Sequence, residues 1–377
     1  MPLKSLDICH VRNLRQVSLN NIKRINLFYG TNGSGKTSVL EAVHMLAMAR
    51  SFRGSSPKTL ISHGENTCLV HGIVSRELSL GKISLGVQRG LDGSILLRAN
   101  GENLQAVASL VEYLPLQVIN AVSFDLLTGA PTARRQYLNW GVFHVEHGFF
   151  DEWQRFQRCI KQRNTCLRRA KLTARDLSAW TRELARSGTL LNEYRKHYFA
   201  RLAPLFREIV ERLLPDMGVF ELHFRQGWDK RLSFEDALLA TQTSDKERGF
   251  TQVGPQRADL RIVYNERQAA DVLSRGQQKL VVCALKLAQG QLLQEVTGYS
   301  CTYLVDDLPS ELDEAHCRRV CEELKQLNAQ IFMTCVDVNQ LPSVWPQDIS
   351  AVFHVEHGKV EYEGAMALSI NKTERFI

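Results

Sequence analysis

No stretch of this sequence approaches the roughly 18 uninterrupted apolar residues of a membrane-spanning helix. Its first residues, MPLKSLDICHVRNLR, contain no apolar block of the signal-peptide kind and carry charge throughout. These absences point away from a membrane and make the cytoplasm the expected compartment. There are no internal repeats or low-complexity tracts, and no heptad pattern long enough for an extended coiled coil. None of the nine cysteines forms a Cys-x-x-Cys pair. Cys317 and Cys321, four apart, and Cys159 and Cys166, seven apart, would each share one face of a helix. That spacing admits a metal, but reduced, half-buried thiols are the simpler expectation for a cytosolic protein.

Acidic residues are missing from one segment. Trp153 to Arg175 contains eight Lys or Arg and no Asp or Glu, in a chain whose net charge is only +7. On a helical wheel Trp153, Phe156, Cys159, Ile160, Cys166, Leu167 and Ala170 share one face, with Arg158, Lys161, Arg168, Arg169 and Arg175 on the other. Such a basic face suits either a nucleic-acid backbone or an acidic partner surface.

What is present is otherwise ordinary for a globular protein: 377 residues, 44% hydrophobic and 23% charged, enough for about two domains. Short strands are expected over residues 3 to 29, and a helix from Lys36 carrying Val39, Leu40, Val43, Leu46 and Ala47. Strand-like segments continue to about residue 119. From 134 to 215 glycine is sparse and the pattern is helical, ending at Leu213-Leu-Pro-Asp216. From Leu273 the order is motif, helix (Leu280 to Leu293), buried strand (Tyr303 to Val305), loop, helix and strand (Ile331 to Met333).

Gly30-Thr31-Asn32-Gly33-Ser34-Gly35-Lys36-Thr37 matches G-x-x-x-x-G-K-[ST] between a strand and a helix. The glycines let successive backbone N–H groups face phosphate oxygens, and the helix adds its positive N-terminal end. Lys36 is expected to reach the β- and γ-phosphates of ATP and Thr37 to ligate Mg²⁺. The strand Tyr303-Leu-Val305 runs into Asp306 and Asp307, at the edge where open α/β sheets bind nucleotides. Asp306 is expected to hold Mg²⁺ and Asp307 to orient or deprotonate the attacking water.

Two further motifs narrow the class. Leu273-Ser-Arg-Gly-Gln-Gln-Lys279 opens the helix before the Asp strand, and Ser310-Glu-Leu-Asp313 follows the Asp pair. A phosphate loop, Ser-x-Gly-Gln, Asp-Asp and Ser-x-Leu-Asp, in that order, is the arrangement of ABC-type ATPases. By itself Ser274 also reads as a helix N-cap. In the ABC arrangement Ser274, Gly276 and Gln277 dock on the γ-phosphate held by a second subunit. The expectation is a homodimer that forms with ATP and separates after hydrolysis. Turnover is expected to be slow, because Asp307 is one methylene shorter than the Glu many ABC ATPases place there. Two other readings stay open: a transporter's nucleotide-binding subunit, which would carry a switch histidine where this chain has Thr334-Cys335, and a metabolic P-loop kinase, which would leave Ser274 to Gln278 and Ser310 to Asp313 without a purpose.

The full motif set resembles the RecF family of DNA replication and repair proteins. Gly129-Ala-Pro-Thr-Ala-Arg-Arg-Gln-Tyr-Leu-Asn139 looks like its G-x-P-x-x-R-R-x-[FY]-L-[DN] signature. Gly254-Pro-Gln-Arg-Ala-Asp259 is similar to its G-P-x-[RK]-x-D segment, and residues 306 to 313 to its second signature. Arg12-Asn13 matches the end of its Phe-Arg-Asn. Departures are Ala121-Val122 in place of Pro-Glu, Gln256 in place of a common His, and Pro309. The resemblance implies an α/β ABC-ATPase head, a P-loop NTPase with an inserted, mainly helical second lobe and without the long arms of its SMC relatives. It also implies ATP-dependent DNA binding at single-strand gaps and stalled forks, help in loading recombinase together with RecR and RecO, and a link to the SOS response. Lobe I is expected over residues 1–120 with 255–377, and lobe II over 121–254.

Overall fold

The computed structural model describes residues 2–54, 56–76, 81–168, 174–341 and 348–365. Packing divides the chain into two compact units, Met1–Ser123 with Lys279–Ile377, and Phe124–Gln278.

The first unit holds two sheets. One is antiparallel, in the order β2-β1-β4-β5-β6-β7, built from β1 (Leu3–Val11), β2 (Leu14–Leu19), β4 (Thr67–Arg76), β5 (Gly81–Gly90), β6 (Ile95–Ala99) and β7 (Glu102–Asn103). The other runs β15-β14-β3-β13-β12-β8, from β3 (Ile25–Tyr29), β8 (Leu116–Ile119), β12 (Thr302–Val305), β13 (Gln330–Cys335), β14 (Ala351–Glu356) and β15 (Lys359–Gly364). Its strands pair in parallel except at β14–β15. β12 and β13 are buried along their whole length, as expected of parallel strands covered on both faces. That is why their sequences read as continuous apolar runs rather than alternations.

The helix Lys36–Met48 leaves β3 and is buried almost all round. Its Val39, Leu40, Val43 and Leu46 join Leu3, Leu6 and Ile8 of β1 and Phe28, Phe332 and Phe353 of the parallel sheet in one core cluster. Phe28 and Phe353 stack at 4.7 Å between centroids. The two segments of this unit are also joined: Leu3 N–H donates to Gln330 Oε1 at 2.7 Å, and Gln330 Nε2 donates to Leu3 O at 2.8 Å.

The second unit is led by the helices Pro131–Val145, Phe149–Leu167 and Ala174–Leu213. Leu177, Leu184, Leu191 and Tyr198 are buried at seven-residue intervals along the last of these. A three-stranded antiparallel sheet follows, in the order β11-β10-β9, from β9 (Phe220–Arg225), β10 (Asp259–Tyr264) and β11 (Arg267–Gln268). This sheet moves the second boundary expected from the sequence. Residues 255–278 pack with the helical unit, because β10 pairs with β9 from Asp259↔Arg225 to Tyr264↔Phe220. The division falls at 279, within the helix Arg275–Thr297, rather than at 255.

Among the described residues no helix is long and apolar enough to cross a membrane. All the cysteines except Cys9 are buried, and no group of three or more His, Cys, Asp or Glu among the described residues is placed to hold a metal.

Candidate nucleotide site

The central strand β3 delivers the phosphate loop. Gly30, Gly33 and Gly35 have φ of 150°, 81° and 123°, a region that disfavours a side chain. At Gly30 a Cβ would also fall 2.2 Å from the Val355 carbonyl oxygen. No acidic residue occupies the first turn of the helix Lys36–Met48, so its positive end is left uncompensated. Lys36 is only 7% exposed, and its Nζ donates to the carbonyls of Gly30 at 2.7 Å and Thr31 at 3.0 Å. Burial lowers its pKa, opposed by the charges of Asp307 and Asp306. The Ser34 hydroxyl is buried with no hydrogen-bond partner.

The loop is held from behind by the β1–β2 turn. Asn13 Nδ2 donates to Ser34 O at 3.0 Å, and Asn13 Oδ1 accepts from Ser38 Oγ at 2.8 Å. Arg12 binds the fully buried Glu41 through two bonds, Nε–Oε2 at 2.9 Å and Nη2–Oε1 at 2.7 Å. The Ser51 hydroxyl donates to the same carboxylate.

Strand order explains how the acids reach this loop. β13 lies between β3 and β12, with Cys335 opposite Tyr29 and Val305 opposite Met333. Asp306 Oδ1 accepts from Thr37 Oγ1 and from Thr334 Oγ1, each at 2.9 Å. The Thr334 hydroxyl in turn accepts from Asp307 N–H at 2.9 Å. Burial raises the Asp306 pKa, while the bonds from Thr334 and Thr37 pull it back down. Asp307 has a left-handed backbone, with φ 52° and ψ 46°, and its Oδ1 is buried without a partner. It caps the short helix Leu308–Glu311, whose first turn accommodates Pro309.

Asn32, Gly33, Gly35, Lys36, Thr37, Asp306, Asp307, Ser310 and Thr334 line one cleft of about 440 Å³, together with Arg53 and Ala121. The departure from Pro-Glu therefore falls at its wall. Sequence reasoning missed Thr334, Arg53 and the Asn13–Ser38 clamp. Thr334 is visible there only as the position lacking a switch histidine. Its one legible sign is a hydroxyl ending a strand that is otherwise apolar from Ile331 to Met333.

Ser274, Gly276 and Gln277 lie in the second unit. Ser274 is a helix cap: its N–H donates to Gln277 Oε1 at 2.9 Å, and its Oγ accepts from Gln277 N–H at 3.3 Å. This is a capping box. Gly276 is different, since a Cβ there would meet nothing within 4 Å. The fold of one chain gives no reason for glycine at that position.

The two remaining signature segments meet in the second unit. Arg134 binds Asp259 at 2.8 Å, Arg135 donates to Ala258 O at 3.1 Å, and Arg195 links Asn139 Oδ1 at 2.8 Å to Pro255 O at 2.7 Å. Arg195 is buried, and desolvation, then Arg135, lowers its pKa to about 9.

The basic helix face is smaller than its sequence suggests. Arg158, Lys161 and Arg168 are exposed, opposite buried Phe156, Cys159, Cys166 and Leu167. Arg155 is paired with Glu152 at 2.6 Å. Arg163 is wholly buried, with Asp245 at 2.7 Å and Thr251 at 2.7 Å. Its position between Cys159 and Phe156 on the wheel already places it on the apolar face. Arg169, Ala170 and the side chain of Arg175 lie outside the described residues.

Comparison with known proteins places the chain in a family. The family described as RecF/RecN/SMC N terminal domain matches residues 2–361. The chain is 48% identical over 362 residues to the "DNA replication and repair protein RecF" of Pseudomonas entomophila (strain L48), covering 96% of this chain and 98% of that one. It is 47% identical to the protein of the same name from Pseudomonas paraeruginosa (strain DSM 24068 / PA7), covering 96% and 97%. Two solved structures share the fold. The "recombination mediator protein RecF-ATP in RecFOR pathway" has a TM-score of 0.84 at 24% identity, covering 96% of this chain and 97% of that one. An SmcHead bound to the C-winged helix domain of ScpA has a TM-score of 0.61 at 14% identity, covering 97% and 98%. With its phosphate loop, its Asp pair and its paired signature segments in place, the chain belongs to the RecF family of DNA replication and repair proteins.

Proposed function

We propose that this chain is an ATP-dependent DNA-binding protein of recombinational repair and replication, acting at single-strand gaps and stalled forks to help load recombinase. The observation that carries the ATP reading is the contact of Thr37 Oγ1 with Asp306 Oδ1 at 2.9 Å, beneath a glycine cradle and beside the unpaired Asp307 Oδ1. Gly30 to Thr37 would hold the phosphates. A hydroxyl and a carboxylate side by side are hard oxygen donors suited to Mg²⁺. Bound Mg²⁺ would neutralise charge developing on the transferred phosphoryl group. Asp307 would accept a hydrogen bond or proton from the attacking water, and Lys36 would compensate charge on the γ-phosphate.

Gly276 supports a site shared by two chains. Ser274, Gly276 and Gln277 of one chain would close on the nucleotide held by Lys36 of the other, and a glycine is needed where a partner comes too close for a Cβ. Dimerisation would then follow ATP, and weak, DNA-stimulated hydrolysis would release it. The exposed Arg158, Lys161 and Arg168 are candidates for sequence-independent contact with DNA phosphates. RecR and RecO are the proposed protein partners, on the strength of the family and of a relative described within the RecFOR pathway. A cytoplasmic location and a place in the SOS response belong to the same reading.

The test compares wild type with Lys36→Arg, measuring sedimentation and binding to a gapped duplex with and without ATP and Mg²⁺. Nucleotide-dependent doubling of mass and tighter DNA binding are expected for wild type alone. Equal mass with and without nucleotide would sink the shared-site reading.

A further inference from the structure

A second concave surface lies entirely within the helical unit. It is a groove of about 1260 Å³ with six cations in its wall: Arg135, Lys196, Arg225, Lys230, Arg257 and Arg261. The β9–β10 register builds part of it. Asp259 opposes Arg225 and Arg261 opposes His223, so the two arginines stand on one face of the strand pair.

The groove's charge is unbalanced. Its two acids, Asp229 and Asp259, are already bound by Arg231 at 2.5 Å and by Arg134 at 2.8 Å, and neither of those arginines lines the groove. Lys196 pairs with Glu193 at 3.2 Å. Among the described residues no carboxylate comes within ion-pair distance of Arg135, Arg225, Lys230, Arg257 or Arg261. The crowding is felt at Arg135, whose pKa is lowered by burial and by its neighbours Arg257 and Arg134, against the pull of Asp259.

Cations alone suit any polyanion, but this wall also carries half-buried Phe199, Phe224 and Trp228. Phe199 and Phe224 are 5.9 Å apart. Trp228 is backed by Phe234 at 4.7 Å, and its Nε1 donates to Leu232 O at 3.3 Å, so the ring is fixed. Aromatic platforms beside a basic track are what unpaired bases stack on, and a duplex keeps its base faces hidden. We propose that this groove binds single-stranded DNA, with phosphates along Arg225, Lys230, Arg257 and Arg261 and bases against Trp228 and the Phe199–Phe224 pair. The proposal rests on the reading that the chain binds DNA, and adds where a single strand runs and what holds it.

The test uses the full-length protein with ATP and Mg²⁺ and a fluorescein-labelled dT 20-mer, followed by anisotropy across a KCl series. Removing three exposed cations in Arg225→Ser/Lys230→Ser/Arg261→Ser should flatten the log–log salt slope by about 2, at about 0.7 per phosphate contact on a single strand. An abasic 20-mer should bind wild type about 10-fold more weakly or worse, since each stacked base contributes about 5- to 150-fold. A dT 20-mer carrying 5-iodouracil should photocrosslink to Trp228, Phe199 or Phe224. If the triple variant binds dT with wild-type affinity and slope, the groove is overturned. Should Arg158→Glu/Lys161→Glu/Arg168→Glu then lose binding, the DNA reading stands and the strand lies elsewhere. A wild type that binds no DNA of any form overturns both readings. One that binds poly-aspartate but not dT overturns the groove in favour of an acidic protein partner.

Discussion

Replacing Thr334 by valine tests the site at the residue that joins its two acids. The side chain keeps nearly the same shape and loses one hydroxyl. That hydroxyl donates to Asp306 Oδ1 and accepts from Asp307 N–H, both at 2.9 Å. Asp306 would retain Thr37 alone, and the Asp307 amide would be left without its partner. A hydrogen bond to a charged group contributes about 1.5–3 kcal/mol. At about 1.4 kcal/mol per factor of ten, losing it should lower kcat by about 10- to 150-fold. The pH profile should also move. Burial already raises the Asp306 pKa and the Thr334 bond opposes this, so the substitution raises it further. Activity that needs the carboxylate ionised is lost as pH falls through that pKa, so the acid limb should shift to higher pH. Nucleotide affinity should change little, because Lys36 and the glycine loop are untouched. Steady-state ATP hydrolysis between pH 5 and 9, alongside binding of a non-hydrolysed analogue, reads both quantities. Wild-type kcat with an unmoved acid limb would refute the role given to Thr334.

Gly276→Ala should raise stability by about 0.5–1 kcal/mol, since glycine is costly inside a helix and a Cβ there meets nothing within 4 Å. The same change should weaken nucleotide-dependent dimerisation, so thermal melting and sedimentation should move in opposite senses. Asp245→Asn leaves Arg163 charged and buried, which should cost about 3–5 kcal/mol in urea unfolding; the double change Arg163→Met/Asp245→Leu should recover most of it. His44 is held neutral by burial, its pKa pushed down to about 4, with Nδ1 2.6 Å from Arg50 O. Its folded value lies below the unfolded value of about 6.5, so its contribution is whole above that pH. It is lost at about 1.4 kcal/mol per pH unit as pH falls toward 4, and His44→Gln should flatten this part of the stability profile.

The parts of the proposed site that were legible in the sequence are those set by local backbone chemistry. Gly30, Gly33 and Gly35 are constrained by positive φ, and Ser274 with Gln277 by a capping box, so each shows as a short motif. Thr334 was not legible, because its role comes from lying on the strand between β3 and β12, and strand order is not written locally. Arg163 shows the same limit from another side. It counts as one more cation in a basic run until Asp245, 82 residues away, supplies its partner. The second domain boundary slipped for this reason too. Gly254-Pro255 looks like a joint, yet the strand after it completes a sheet begun at Phe220.

The hydrogen bonds between Leu3 and Gln330, 327 residues apart, have a consequence for how the protein is made. β3 carries the phosphate loop, and both of its sheet neighbours, β13 and β14, come from beyond residue 329. During translation the loop emerges well before its supporting strands. At about 5–20 residues per second, the roughly 300 residues between them take about 15–60 s. Throughout that interval β3 is an apolar strand with two open edges. The helical unit, continuous in sequence, is complete well before. A nascent chain that has emerged to a point between residues 280 and 330 would therefore carry a finished second unit tethered to a strand able to pair with whatever it meets, which makes it a natural client for chaperones.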